Sequence, residues 1–407
     1  MSSPFLFNPL DPAVRRDPYA LYARGRREHP AFVHAGLPIP LVSVFRYADV
    51  QAVLRDTEGF SNDFSRGRML APEIAELAKS APPSMLGMDP PDHTRLRSLV
   101  NKAFTPRIVR QLEPRLRAVA HELLDAALEQ REVDLVQALT YPLPVIAIAE
   151  IIGVPAEDRE QFKHWSDQAV ATLGLAFFEP PTLERMQRQL AVREEMSRYF
   201  VPLAEKRRRE PKDDLLTGLV QAEHEGSKLD HEEMLAMLVL LLVAGNETTT
   251  TLIGNAVLTL LQHPGELKRL RDDPSLMASA VDEVLRFESP IQFDPRRATR
   301  DCEIAGAKIA ENTLVLNWLG SANRDERAFE QPDVFDVARQ KNAHLSFGYG
   351  THHCLGHNLA RLEASVALEV LLARTSGFER SDDGALPIHP SPVFKAVTKL
   401  PLRLEAK

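Results

Sequence analysis

Apolar positions towards the end of the chain recur with a helical period. Leu355, Leu359, Leu362, Val366 and Val370 follow at spacings of four, three, four and four, one buried stripe of an α-helix. A longer helix is predicted over His231–His263, where the apolar run Met234–Gly245 turns most of the circumference inward. Helical spacing also covers residues 18–29, Tyr47–Arg55, Ile108–Leu128, Pro142–Ile152, Pro155–Leu173, Leu183–Arg209, Asp213–Glu225 and Ala278–Phe287. Short alternating stretches, Ala31–His34, Leu41–Phe45, Cys302–Ile304, Ala307–Ile309 and Thr313–Trp318, read as strands. The expected class is mainly α with small β-sheets (α+β). Phe60–Met88 and the polar stretch Ala322–Arg339 carry no period, and Leu173–Thr182, LGLAFFEPPT, is an apolar loop that suits a helix corner or a flap over an apolar ligand.

Composition narrows the class. No Gly/Ser tract or charge block divides the 407 residues, which predicts a single domain over 1–407, large enough to bury a cofactor. A net charge of −8 argues against nucleic acid as main partner. Two cysteines, Cys302 and Cys354, exclude a disulfide framework and favour a cytoplasmic setting. The first residues lack the basic-then-apolar order of a signal peptide. The longest apolar run has twelve residues, too short to span a bilayer.

Chemistry concentrates in Phe347–Glu363, FGYGTHHCLGHNLARLE. Cys354 stands where a Gly-containing loop turns into a helix, a place that favours a thiolate. A zinc site would need two ligand pairs at regular spacing, and only one thiol is available among His344, His352, His353 and His357. A catalytic thiol fits the position but lacks a downstream His–Asp/Asn pattern. The flanking glycines argue for something flat and bulky approaching the backbone, and thiolate ligation of haem iron satisfies all these features. Cys302 reads as a structural cysteine.

Other stretches depart from plain helix chemistry. Ala244-Gly245-Asn246-Glu247 and four threonines sit inside the long helix, and an acid there is costly unless it is paired or used. In Asp89–Thr105, His93 and Arg97 are four apart and share a face, suited to a pair of carboxylates or simply to solvent. From Arg95 to Arg117, seven basic residues (95, 97, 102, 107, 110, 115, 117) face one acid, Glu113, a candidate docking surface for an acidic partner. Glu283 and Arg286 have the i, i+3 spacing of a pair.

Together these motifs carry a family resemblance. Phe347-Gly348-x-Gly350-x-His352-x-Cys354-x-Gly356, DPPDHTRLR at 89–97, AGNETT at 244–249, ExxR at 283–286, RRATRD at 296–301 and ANRD at 322–325 resemble the motifs of a bacterial soluble cytochrome P450, in that family's order. The resemblance implies haem b between the long central helix and the cysteine-bearing helix, with Cys354 as the iron ligand. His93, Arg97, Arg296 and His352 match the positions that hold the propionates, with Arg297 an alternative to Arg296. Phe347, Gly348, Gly356 and Ala244 complete the cofactor set. Glu283 and Arg286 become a scaffold pair whose third partner Arg339 would fit, and Glu326 stands where related chains usually have Pro. Gly245 and Thr248 would let the long helix widen locally. Glu247 and Thr248 match the acid–alcohol pair that delivers protons when the O–O bond of dioxygen breaks, a cleavage favoured by the thiolate.

The resemblance further implies a monooxygenase that hydroxylates a C–H bond. By position, Leu240, Val243, Ala244, Ile291, Gln292, Val393 and Phe394 should face the substrate, Leu86, Phe177 and Phe178 should close over it, and Asp294 or Gln292 could add a polar contact. Their apolar character suggests a terpenoid, steroid or fatty acid. Electrons should come from a separate acidic ferredoxin and its reductase, docking on Arg95, Lys102, Arg107 and Arg110. The expected protein is a cytoplasmic monomer of secondary metabolism. The alternative is a haem-thiolate isomerase, or a ligand-binding protein that needs no external electrons.

Overall fold

The computed structural model describes residues 5–37, 39–64, 84–170, 182–224 and 226–407. Its axis is the helix His231–Gln262. Asp230 caps it through a reciprocal box, accepting from Glu233 N–H at 2.7 Å while Glu233 Oε2 accepts from Asp230 N–H at 3.1 Å. Pro264 then closes it and opens a further helix, Pro264–Asp272, that periodicity alone did not reveal. The long helix packs against Pro142–Ile152, Arg159–Val170, Leu183–Arg209, Met277–Phe287 and His357–Arg374. With 32 residues and a window of mean hydropathy 1.5, it is long and apolar enough to cross a membrane by length and composition; here it is the core helix, with 56% of that window buried. The twelve-residue run understated it because Leu252–Leu260 resumes the apolar pattern after the threonines.

Leu96, Leu99 and Val100 from the helix Asp92–Ala103 and Leu116, Val119 and Leu124 from Pro106–Gln130 join the same core. Each buried Leu or Val there contributes about 1.5–3 kcal/mol relative to exposure. The helix expected over Asp213–Glu225 is shorter, Leu215–Gln221, because Glu223–His224 and Ser227–Lys228 form a hairpin turned at Gly226, φ +77°.

A five-stranded sheet runs in the order Ala31–Val33, Leu41–Val44, Leu314–Trp318, Phe293–Ala298, Phe60–Ser61. Leu41–Val44 pairs parallel with Leu314–Trp318, and the other neighbours are antiparallel. The strand Phe293–Ala298 was not evident from alternation, since Asp294-Pro295-Arg296-Arg297 reads as polar. It matters for the site, because successive side chains of a strand point to opposite faces and Arg296 and Arg297 are thereby sent to different neighbours.

On the helix Met277–Phe287, Arg286 and Glu283 are fully buried and joined by two hydrogen bonds of 2.8 Å. Arg339 Nε reaches Glu283 at 3.0 Å and 3.1 Å, so it is the third partner. Arg286 also donates to the carbonyls of Asn323, Pro332 and Val334. The pair thus satisfies buried main-chain acceptors of the meander, the condition under which buried charge is tolerated. Glu326 pairs with Arg26 at 3.1 Å.

Candidate haem site

Two glycines shape the cysteine loop. Gly348 and Gly350 have φ of +70° and +74°, and a Cβ on Gly350 would lie 2.8 Å from the Leu54 carbonyl oxygen. Positive φ and the close approach both demand glycine. The turn brings Cys354 N–H onto the Phe347 carbonyl at 2.8 Å, and the helix begins at His357. Burial pushes the Cys354 thiol up, against the Gly356 N–H and the charges of Arg97 and Arg361, which draw it down. Phe347 lies under the Arg361 guanidinium at 4.5 Å, itself held by Asp282 at 2.7 Å. Among the described residues no three His, Cys, Asp or Glu side chains are grouped to share a metal ion.

Beside the loop, four basic side chains converge from three distant segments. Arg97 donates to the His353 carbonyl at 2.7 Å. His93 and His352 lie 4.0 Å apart between ring centroids, their planes tilted by 40°. Arg296, 2% exposed, reaches Asp294 at 2.5 Å and its own neighbour's carbonyl at 2.7 Å. Both ring nitrogens of His93, Nε2 of His352 and Nη2 of Arg296 are buried without a partner. Burial, then His93, Arg296 and Arg97, push the His352 imidazole down to about 3. Buried donors left this way cost roughly 1–3 kcal/mol each. A ligand edge bearing two carboxylates answers both the orphaned donors and the mutual repulsion, so the residues fit haem propionates. Arg297 does not belong to this group: it donates to the carbonyls of Asn312 and Phe64 on the other face.

On the long helix, Thr248 Oγ1 donates to the Ala244 carbonyl at 2.7 Å. The helix is unbroken from His231 to Gln262, so the expected widening is no more than this side-chain bond. Glu247 is raised to about 7, first by burial and then by the charge of Asp167. Its carboxyl lies 3.5 Å from His389 Nε2. Nothing in the helix pattern pointed to His389, whose neighbours read as a Pro-rich tail.

Leu240 and Val243 are half-buried and Ala244 exposed, while Leu241 and Leu242 between them, and Leu238 before them, belong to the core. The helix thus presents an apolar strip in which Leu240 leans on the core while Val243 and Ala244 stay partly open. Other expected pocket residues lie elsewhere. Gln292 is buried, accepting from Tyr22 Oη at 2.9 Å and donating to the Ser289 carbonyl at 2.7 Å, so its amide is committed to the scaffold. Val393 and Phe394 pack with Phe5, Phe7, Tyr22 and Trp318 in an aromatic core. Ile291 bridges to Phe394 and is half-buried, Asp294 is taken by Arg296, and Leu86 is 53% exposed. Phe177 and Phe178 lie outside the described residues.

The basic stretch is weaker than its composition. Arg95 pairs with Glu233, Arg115 with Glu150 and Glu122, and Arg117 with Glu113 and Glu369. Arg97 turns inward to the cysteine loop. Arg95 therefore leaves the docking set, while Lys102, Arg107 and Arg110 are exposed.

Comparison with known proteins agrees with this geometry. The Cytochrome P450 family model matches residues 3–399. A "Putative cytochrome P450 YjiB" of Bacillus subtilis is 44% identical over 331 residues, 81% of each chain. Among solved structures, cytochrome P450 CYP109Q5 from Chondromyces apiculatus has a TM-score of 0.87 at 42% identity, covering 98% of both chains. CYP109E1 from Bacillus megaterium, in complex with corticosterone, gives 0.85 at 36% identity, covering 96% of this chain and 99% of that one. Matches of this length show the family: the chain belongs to the cytochrome P450 family, and is a monooxygenase built on haem b with a cysteine thiolate ligand.

Proposed function

We propose that this protein, acting as one catalytic domain, hydroxylates a C–H bond of an apolar small molecule of terpenoid, steroid or fatty-acid size, with electrons from a separate ferredoxin and its reductase. The observation that carries the reading is the apolar strip Leu240, Val243 and Ala244 lying one turn before Glu247 and Thr248. Thiolate-ligated haem supplies dioxygen activation when bound. The chain's own residues do the rest. Cys354 offers the thiolate; His93, Arg97, Arg296 and His352 fix the cofactor's carboxylates. Glu247, near neutrality in proton affinity, can hold a proton at working pH and pass it towards the Thr248 hydroxyl. The strip orients an apolar substrate and excludes water. The relative whose structure holds corticosterone supports a substrate of that polarity. Exposed Lys102, Arg107 and Arg110 support docking of an acidic ferredoxin, and the setting we propose is a monomer in the cytoplasm.

A panel of steroids, terpenoids and fatty acids, scored by the spin-state shift of the ferric protein and then by turnover, tests the substrate. Product must depend on NAD(P)H, ferredoxin and dioxygen together. Turnover without them would sink the hydroxylase reading in favour of an isomerase.

A further inference from the structure

Glu247 is placed oddly for a group in the middle of a core helix. Among the described residues, the one side chain of basic character within ion-pair distance of its carboxyl is His389, at 3.5 Å; no Arg or Lys is that close. Asp167, from the helix Arg159–Val170, faces it with like charge, and Tyr141 lies on the same side, donating to Asp167.

His389 is itself fixed on every side. Its main-chain N–H donates to the Ala396 carbonyl at 2.9 Å, and Arg15 donates to its carbonyl and, at 2.8 Å, to that of Ser391. The Phe394 ring meets the imidazole edge-on at 4.9 Å. Ser391 N–H donates to Nδ1 at 3.1 Å. Nδ1 is thus an acceptor, and in the neutral ring the proton must be on Nε2, the nitrogen that faces Glu247. Burial, with a further push from Arg15, holds the imidazole down to about 4, so the ring is neutral at ordinary pH.

We propose that His389 is a positioning residue for the proton-delivering acid: its neutral Nε2–H fixes the Glu247 carboxyl group, where a cationic side chain would lock that group as a carboxylate. This rests on the monooxygenase reading of Glu247 and assigns it a partner from the C-terminal tail. A neutral donor orients the acid without removing its proton, whereas a fixed cation at the same distance stabilises the anion. His389 does not relay the proton, because its one ring proton is already committed to orienting the acid. Arg15, Asp167 and Tyr141 are the other charged or titratable groups facing the pair, and none supplies that donor.

The test uses haem-loaded protein, three His389 variants and Glu247→Gln. Difference infrared spectroscopy follows the Glu247 carboxyl with pH, the band being assigned with Glu247→Gln. His389→Lys should move that titration down by about one unit or more. His389→Gln, which keeps an N–H donor, should leave it in place. In turnover, His389→Phe should lower product formed per electron pair by about fivefold, the remainder appearing as hydrogen peroxide, and His389→Gln should restore most of it. The proposal is overturned if the Lys variant leaves the Glu247 titration unmoved, or if the Phe variant changes neither titration nor product yield. The carboxyl titration needs no turnover: a shift as expected in a protein that oxidises nothing would sink the monooxygenase reading and leave the pairing standing.

Discussion

His93 and His352 come from segments more than 250 residues apart, yet their rings meet at 4.0 Å between centroids, and three of their four ring nitrogens are buried without a partner. Such a close pair of basic rings calls for anions at its edge. His93→Ala or His352→Ala should therefore weaken haem retention by about 1.5–3 kcal/mol, the scale of a hydrogen bond to a charged group. Haem loss to an excess of a haem-scavenging apoprotein, followed in the Soret region, should be roughly 10- to 100-fold faster. Unchanged loss in both variants would refute the propionate assignment.

The iron ligand has a sharper signature. Cys354→Ala should abolish the thiolate-type Soret band of the reduced, carbon monoxide-bound protein, while Cys302→Ala should leave it intact. Persistence of the band in the first variant would place the ligand elsewhere.

Glu247 gives a pH prediction with a definite sign. Its proton affinity is raised to about 7 in the folded chain from an ordinary 4.5, so the folded state binds more protons than the unfolded one between those values. Stability from this group is fully present below about 4.5 and is lost as pH rises through about 7. Glu247→Gln should raise the melting temperature above pH 7 relative to wild type and not below pH 4. In turnover it should remove the alkaline limb of the pH profile and lower product yield by about 10- to 100-fold.

His34 and His389 oppose that trend. Each is pushed down to about 4 by burial, so the unfolded chain takes up protons first. Stability they support is present above about 6.5 and lost as pH falls through about 4. Denaturant titration of His34→Gln between pH 6.5 and 4 should show a flatter loss than wild type; parallel curves would contradict it.

The buried pair should be intolerant of one-sided change. Arg286→Ala leaves Glu283 buried and the Asn323 and Pro332 carbonyls without their side-chain donor, and should cost about 3–5 kcal/mol, read by denaturant midpoint. Arg286→Lys, which cannot span both carboxylate oxygens and the meander carbonyls, should recover little of it.

What could be read from the sequence was what is local. The cysteine loop, the acid in the long helix and the Glu283–Arg286 spacing are patterns within a few turns, where helical geometry alone decides neighbours. What escaped depends on distant partners. Gln292 looked free to meet a substrate, but its partner Tyr22 is 270 residues away. Arg117 counted as free charge until Glu369 came to it across the fold. His389 lay in a tail with no period, and its relation to Glu247 exists only once the tail folds back onto the long helix. Arg296 and Arg297 could not be separated before the strand that splits them was known.

One feature bears on how the protein is made. The basic groups proposed to face the propionates are contributed at positions 93, 97, 296 and 352, and the thiol at 354. A chain that ends before residue 354 does not hold them all, however well its helices pack. Haem capture should therefore wait until residue 354 has been made, and a chain truncated before Cys354 should accumulate without colour.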